Sequence, residues 1–135
     1  MEKGTILFHK NFRFINGDLG EKLIVLLNDP DPKSEPFLFC RVTSKKGSKP
    51  TTPGCQARLS LFFIPQEKDF FQKDTWLQLY EIYSFEAKSV LKDHFDGFLQ
   101  VMGKLSEQTI TALIACIKLI DDISEDHRKL IFRKK

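Results

Sequence analysis

The sequence predicts a mainly β fold with added helices (α+β), in which five or six short strands form a small curled sheet or barrel. Short apolar and aromatic runs recur along most of the chain, and turn-forming or proline-rich segments separate them. Helical spacing of apolar residues appears only afterwards, near the C-terminus. The chain has 135 residues, which corresponds to one domain with one core.

The predicted strands are runs of apolar, aromatic and β-branched residues bounded by turn signals. They span residues 5–8 with a continuation at 12–15, then 23–27, 37–43, 59–64, 75–82 and 99–102. The pair Asn16-Gly17 favours a tight turn after the first strand, because both residues tolerate positive φ. Prolines at positions 30, 32 and 36 predict a loop there, because proline cannot donate to a sheet ladder.

Two helices are predicted from caps and spacing. Ser84 is a candidate cap for a short helix that runs to about Phe95. Ser106 is the candidate cap of a second helix, with Glu107 in its first turn. The second helix has a predicted buried stripe of apolar residues, namely Ile110, Leu113, Ile114, Ile117 and Ile120.

Composition excludes several classes of protein. The hydrophobic fraction of 41% and the charged fraction of 29% are close to globular averages, which excludes disordered, coiled-coil and collagen-like chains. The longest apolar run, at residues 23–27, is far shorter than the roughly 20 residues that span a bilayer. No secretory signal pattern opens the sequence. We therefore predict a cytoplasmic protein without membrane contact.

The three cysteines agree with that compartment, because they form no Cys-x-x-Cys pair and have no zinc-site spacing. Cys40 and Cys116 lie in apolar runs, which predicts buried packing roles. Cys55 lies in a polar loop, where a free, reactive thiol is an alternative. Phosphate-loop and nucleophile-elbow motifs are absent from the sequence, and no metal or cofactor is expected.

Basic residues concentrate in one window of the chain. No acidic residue lies between Glu35 and Glu67, and residues 44–56 form a loop rich in glycine, proline, serine and threonine. The cations of this window are Arg41, Lys45, Lys46, Lys49 and Arg58. A loop of this length inside a small domain is usually functional or mobile.

Three polar residues stand where the predicted strand 37–43 enters that loop. Arg41, Thr43 and Ser44 place a guanidinium and two hydroxyls at the end of the strand. On a sheet that binds RNA, this set can hold a phosphate and stabilise charge that grows on it, without a metal. The alternative is that Thr43 and Ser44 only end the strand and the lysines keep its edge soluble.

The sequence contains thirteen phenylalanines, most of them in predicted strands where core packing is the default. Four lie beside turns or charges and are candidates for a surface that stacks bases or contacts a partner chain, namely Phe12, Phe14, Phe70 and Phe71.

A series of short motifs in fixed order carries a family resemblance. The motifs are Gly4-Thr5-Ile6, residues 22–29, residues 39–44, residues 73–79 and residues 103–106. This series, over about residues 3–118, resembles the PemK/MazF-like toxins of bacterial toxin–antitoxin systems. The resemblance implies an SH3-like barrel with a few helices, which we assign to residues 1–120. The charged, basic tail at 121–135 lies beyond the resemblance. The resemblance also implies a homodimer that an antitoxin protein neutralises.

The resemblance implies metal-independent cleavage of single-stranded RNA, in which the 2′-hydroxyl attacks its own phosphate and leaves a cyclic phosphate. Thr43 matches the family's threonine or serine at the end of the third strand. The family's Arg-Pro falls at Glu21-Lys22, and lysine lacks the bidentate fork of arginine. Lys22 replaces it, or Arg13 or Arg41 reaches the site from another strand, or the activity is lost.

The leading hypothesis is a toxin-like endoribonuclease with Thr43, Lys22 and Arg41 as catalytic residues. The predicted RNA-binding residues are Arg13, Ser44, Lys45, Lys46, Lys49 and Arg58. The main alternative is a catalytically inactive SH3-like barrel that binds a protein or a nucleic acid. A third hypothesis is an unrelated enzyme that uses Cys55.

Overall fold

The computed structural model describes residues 1–13 and 19–133, with all of their side chains except those of Arg13 and Leu19. Within these ranges, six strands precede the first α-helix and a seventh follows it, in a mixed α+β arrangement that confirms the predicted class. The elements are β1 (Thr5–Arg13), β2 (Leu19–Leu26), β3 (Phe37–Thr43), β4 (Gly54–Gln56), β5 (Leu61–Ile64), β6 (Thr75–Phe85), α1 (Ala87–Phe95), β7 (Leu99–Lys104), α2 (Glu107–Lys118) and α3 (Glu125–Phe132). The predicted turn at Asn16-Gly17 lies outside the described residues.

All seven described strands form one antiparallel sheet in the order β4-β5-β6-β3-β2-β1-β7. The strands β4 and β7 are its two edges, so the described sheet is open and the SH3-like barrel is not confirmed. Register shifts interrupt the pairing between His9 and Phe12 and between Phe39 and Arg41. Such bulges bend a sheet and increase its twist, which curls this sheet around the side chains on its faces.

The two faces of the sheet bury separate clusters because successive side chains of a strand point to opposite sides. Val25 belongs to the cluster beneath α2 and α3, whereas its neighbour Ile24 belongs to the cluster beneath α1. Both side chains are fully buried, and each such residue contributes about 1.5–3 kcal/mol to folding. The central strands are therefore a rigid base for the residues at their ends.

The two predicted helices are present, but the first begins later than expected. Ser84 pairs with Leu38 in the β3–β6 ladder, so the chain stays extended there and α1 begins at Ala87. Ser106 does cap α2, because its Oγ accepts a hydrogen bond from the backbone N–H of Thr109 at 3.2 Å.

The segment predicted as a charged tail contains the helix α3, which packs on the domain. Ile123 and Ile131 are buried in the cluster beneath α2. The guanidinium of Arg128 donates to the carbonyl oxygens of residues 117, 118 and 120, at the C-terminal end of α2. Lysine or arginine in this position satisfies carbonyls that have no partner within their own helix.

Two of the three cysteines are joined in a disulfide, which excludes the alternative of a free, reactive thiol at Cys55. Cys55 of β4 is bonded to Cys116 of α2 across a sequence separation of 61 residues. The bond forms because the buried face of α2 lies over β4, a juxtaposition that spacing along the chain does not reveal. Cys40 is free and fully buried, and burial raises the pKa of its thiol to about 12.

None of the helices in the described part of the chain has the length and apolar character needed to cross a membrane.

Candidate functional site

An open groove of about 660 Å³ lies at the C-terminal end of β3, and we call it the β3-end groove. It is bordered by the ends of β2 and β3 and by residues 70–75. Its polar and charged lining includes Glu21, Lys22, Thr43, Ser44, Lys45 and Lys73. The sequence singled out Lys22 in one segment and residues 43–45 in another, and all four therefore share one groove.

Strand pairing brings Lys22 and Thr43 together. Ile24 of β2 faces Arg41 of β3 in the antiparallel register, and continuing that register by two residues places Lys22 opposite Thr43. The Oγ1 of Thr43 accepts a hydrogen bond from the backbone N–H of Lys45 at 3.2 Å, which turns the chain out of the sheet. Both residues thus lie at strand ends that border the groove.

More lysines than acidic residues line the groove. Partial burial lowers the pKa of Lys22, and the positive charges of Arg41 and Lys45 lower it further. The strand register agrees, because Arg41 faces Ile24 of β2, two residues from Lys22. Among the residues that line the groove, Glu21 is the one acid beside three lysines, which favours an anionic ligand such as a phosphate.

Arg41 contributes charge to this region from the sheet face beside the groove. Its Nη2 lies 2.9 Å from Oε2 of Glu81, and the hydroxyl of Tyr83 donates to the same oxygen at 2.7 Å. The guanidinium carbon is 5.7 Å from the centre of the Tyr83 ring. Burial, together with the hydrogen bond to Glu81, raises the pKa of Tyr83 to about 12. This network holds Arg41 in a fixed position.

The other predicted RNA-binding residues are not part of the groove lining. Arg58 lies in a short 3₁₀ turn and lines a separate hollow with Pro50 and Leu59. Lys46 is exposed and Lys49 is half-buried in the loop after β3, where Nζ of Lys49 donates to the carbonyl of Lys45 at 3.0 Å. The side chain of Arg13 lies outside the described residues.

The four candidate surface phenylalanines have different environments. Phe12 is fully buried against Tyr83, and Phe71 is 6% exposed, so neither presents a free ring. Phe70 is 39% exposed and lines the groove together with Phe71. Phe14 lies outside the described residues. Phe12 is buried because it lies on the face of β1 that contributes to the cluster beneath α1. Its polar neighbours in the sequence gave no indication of this burial.

Lys73 is a groove residue that was not assigned a role from the sequence. It lies in the charged segment between β5 and β6, and only the fold brings that segment next to Thr43. The positive charge of Lys73 was visible in the sequence, but its distance from Thr43 along the chain gave no indication of proximity.

The histidines do not form a centre beside the groove. Nε2 of His9 lies 3.3 Å from Asp93, and its Nδ1 accepts the backbone N–H of Asn11 at 3.0 Å, so both ring nitrogens have partners. Residues 1–13 and 19–133 contain no group of three or more histidine, cysteine or acidic side chains arranged to hold a metal ion.

Comparison with known proteins adds no assignment to this geometry. The chain matches no model of a known protein family, and no curated protein matches it in sequence. The resemblance to the PemK/MazF-like toxins therefore stays a prediction, carried by the residues of this chain alone.

Proposed function

We propose that this protein is a toxin-like endoribonuclease that cleaves single-stranded RNA in the β3-end groove without a metal. The observation that carries the proposal is that Lys22, Thr43 and Lys45 line one groove, with the positive charge of Arg41 acting on that of Lys22. In keeping with the resemblance, the proposal includes an SH3-like barrel, a homodimer and an antitoxin that neutralises the enzyme by occupying the same groove.

The groove contains the groups that this chemistry needs. The 2′-hydroxyl of a nucleotide attacks the adjacent phosphorus, and the bond from phosphorus to the 5′-oxygen breaks, which leaves a 2′,3′-cyclic phosphate and a 5′-hydroxyl. In the proposed mechanism the 2′-hydroxyl gives its proton to water, and the ammonium of Lys22 gives a proton to the departing 5′-oxygen. The lowered pKa of Lys22 makes it a stronger acid in that step.

Thr43 and the cations have a separate role in the proposal. The Thr43 hydroxyl donates to a phosphate oxygen, while Lys22 and Lys45 stabilise the negative charge that grows on it. Donors fixed in place before the reaction stabilise a transition state more than mobile ones, and loss of one such donor typically slows a reaction by about 10²–10³-fold.

The test is incubation of the purified protein with several long single-stranded RNAs in EDTA, followed by mapping of the product ends. We expect discrete cuts with cyclic-phosphate ends. Thr43→Ala should lower the cleavage rate by about 100-fold or more. Thr43→Ser keeps a hydroxyl and should retain most of the rate. Thr111→Ala, an exposed threonine of α2, is the matched control. Wild-type rates in Thr43→Ala would remove Thr43 from the site.

The second candidate function is a binding module without catalysis, and one observation favours it. Arg41, the arginine of β3 nearest the groove, is held by Glu81 and Tyr83 and does not line the groove. Without it, Lys22 alone must replace the bidentate donor of the resembling family. Tight binding of RNA with no cleavage, over several unrelated RNAs, would establish this function.

A further inference from the structure

A buried glutamine on the sheet face beside the groove holds an exposed tyrosine. Gln78 of β6 is 9% exposed, and its Nε2 donates to the hydroxyl of Tyr80 at 2.6 Å. The ring of Tyr80 is 51% exposed. The tyrosine is therefore fixed at its hydroxyl end, and its ring is open to a ligand.

The glutamine is a costly residue at this position. Its Oε1 is buried and has no hydrogen-bond partner among the described residues. A buried polar atom without a partner costs about 1–3 kcal/mol. Leu61 faces Gln78 in one neighbouring strand, Arg41 faces it in the other, and Trp76 precedes it on the same face. The hydrogen bond to Tyr80 is what the glutamine provides against that cost.

The strand register places Tyr80 near the sheet face that carries Thr43 and Arg41. Thr43 faces Trp76 and Arg41 faces Gln78, so these side chains share one face of the sheet, and the hydrogen bond from Gln78 holds the hydroxyl of Tyr80 beside that face. Tyr80 follows Trp76 by four residues along β6, so it lies at most roughly 14 Å from the position opposite Thr43. An RNA strand that runs from Thr43 across Arg41 therefore comes within reach of the tyrosine ring.

We propose that Tyr80, positioned by Gln78, stacks on one base of the single-stranded RNA whose phosphate occupies the β3-end groove. This inference rests on the proposed function. Base–aromatic stacking tolerates any base and is worth about 1–3 kcal/mol per base when the aromatic residue is replaced by alanine. Tyr80 thus adds affinity and fixes the position of the strand, and the cut site is counted from the stacked base.

The test is binding of short single-stranded RNAs to full-length protein carrying Thr43→Ala, which prevents cleavage during the measurement. Adding Tyr80→Ala should weaken binding about 5- to 150-fold, the range that corresponds to one stacked base. Tyr80→Trp should keep most of the affinity. Phe95→Ala, which removes an aromatic ring that is 90% exposed elsewhere on the surface, is the matched control and should leave binding unchanged.

A scan of RNAs that lack one base at a time separates stacking from a structural effect. We expect one position at which base removal weakens binding to the Thr43→Ala protein and has no effect once Tyr80→Ala is added. Gln78→Leu should raise the melting temperature and weaken RNA binding. Gln78→Leu combined with Tyr80→Ala should bind RNA no more weakly than Tyr80→Ala alone. Equal affinity with and without Tyr80→Ala overturns this inference alone. Absence of RNA binding by the Thr43→Ala and wild-type proteins overturns the proposed function as well.

Discussion

The disulfide between β4 and α2 should supply a large part of the stability of this fold. The change that tests it is Cys55→Ser, because Cys55 is exposed whereas Cys116 is 1% exposed and its replacement would also disturb the core. Closing a loop of 61 residues removes chain entropy from the unfolded state. The corresponding loss of stability in the variant is about 4 kcal/mol at 25 °C.

The assay is thermal unfolding followed by circular dichroism, with and without dithiothreitol. With an unfolding entropy of about 2.1 cal/mol/K per residue, the loss lowers the melting temperature by roughly 15 °C. Wild-type protein reduced by dithiothreitol should have the same melting temperature as the variant. Dithiothreitol should not change the melting temperature of the variant. Thr52→Ser, a surface change in the same loop, is the control. A variant that melts within a few degrees of the oxidised wild type would refute the reasoning.

Two further predictions concern stability. Lys22→Met should raise the melting temperature at pH 7 although it weakens RNA binding, because it removes a partly buried cation close to Arg41 and Lys45. The pKa of Lys22 in the folded protein is below its ordinary value of 10.5, so the charged ammonium destabilises the fold. This destabilisation is complete below the folded-state pKa and disappears as the pH rises from there towards 10.5, because the ammonium loses its proton. The difference in melting temperature should therefore shrink between pH 7 and pH 10, and a constant difference would contradict the assigned cause. Arg128→Met should cost about 2 kcal/mol in urea unfolding, because carbonyls at the end of α2 lose a charged donor. If Lys129→Met lowers the free energy of unfolding by the same amount, the hydrogen bonds from Arg128 to the end of α2 are not responsible.

Local pattern predicted the strands well where alternation and boundaries were clear. Residues 37–43 were predicted as a strand and form β3, because prolines precede this segment and a loop follows it. The strand at 75–82 continues to Phe85, since pairing with β3 keeps the chain extended where Ser84 suggested a helix cap. Tertiary pairing thus outweighed a local capping signal.

The groove was predictable in part. Thr43 and its neighbours stood together in the sequence as a polar set at the end of a strand. Lys73 could not be connected with them, because the sheet order β5-β6-β3-β2 brings together segments that are distant along the chain. Arg58 shows the converse, because it belongs to the same basic window of the sequence and lines a different hollow.

What the amino-acid pattern determined was the α+β class, most of the strands, both predicted helices and the polar end of β3, since these depend on spacing between neighbours in the chain. Only the tertiary structure decided the open order of the sheet, the docking of α3, the Cys55–Cys116 bond and the membership of the groove. The physical reason is that strand order and helix docking depend on the burial of apolar surface across the whole domain, which no local window of residues contains.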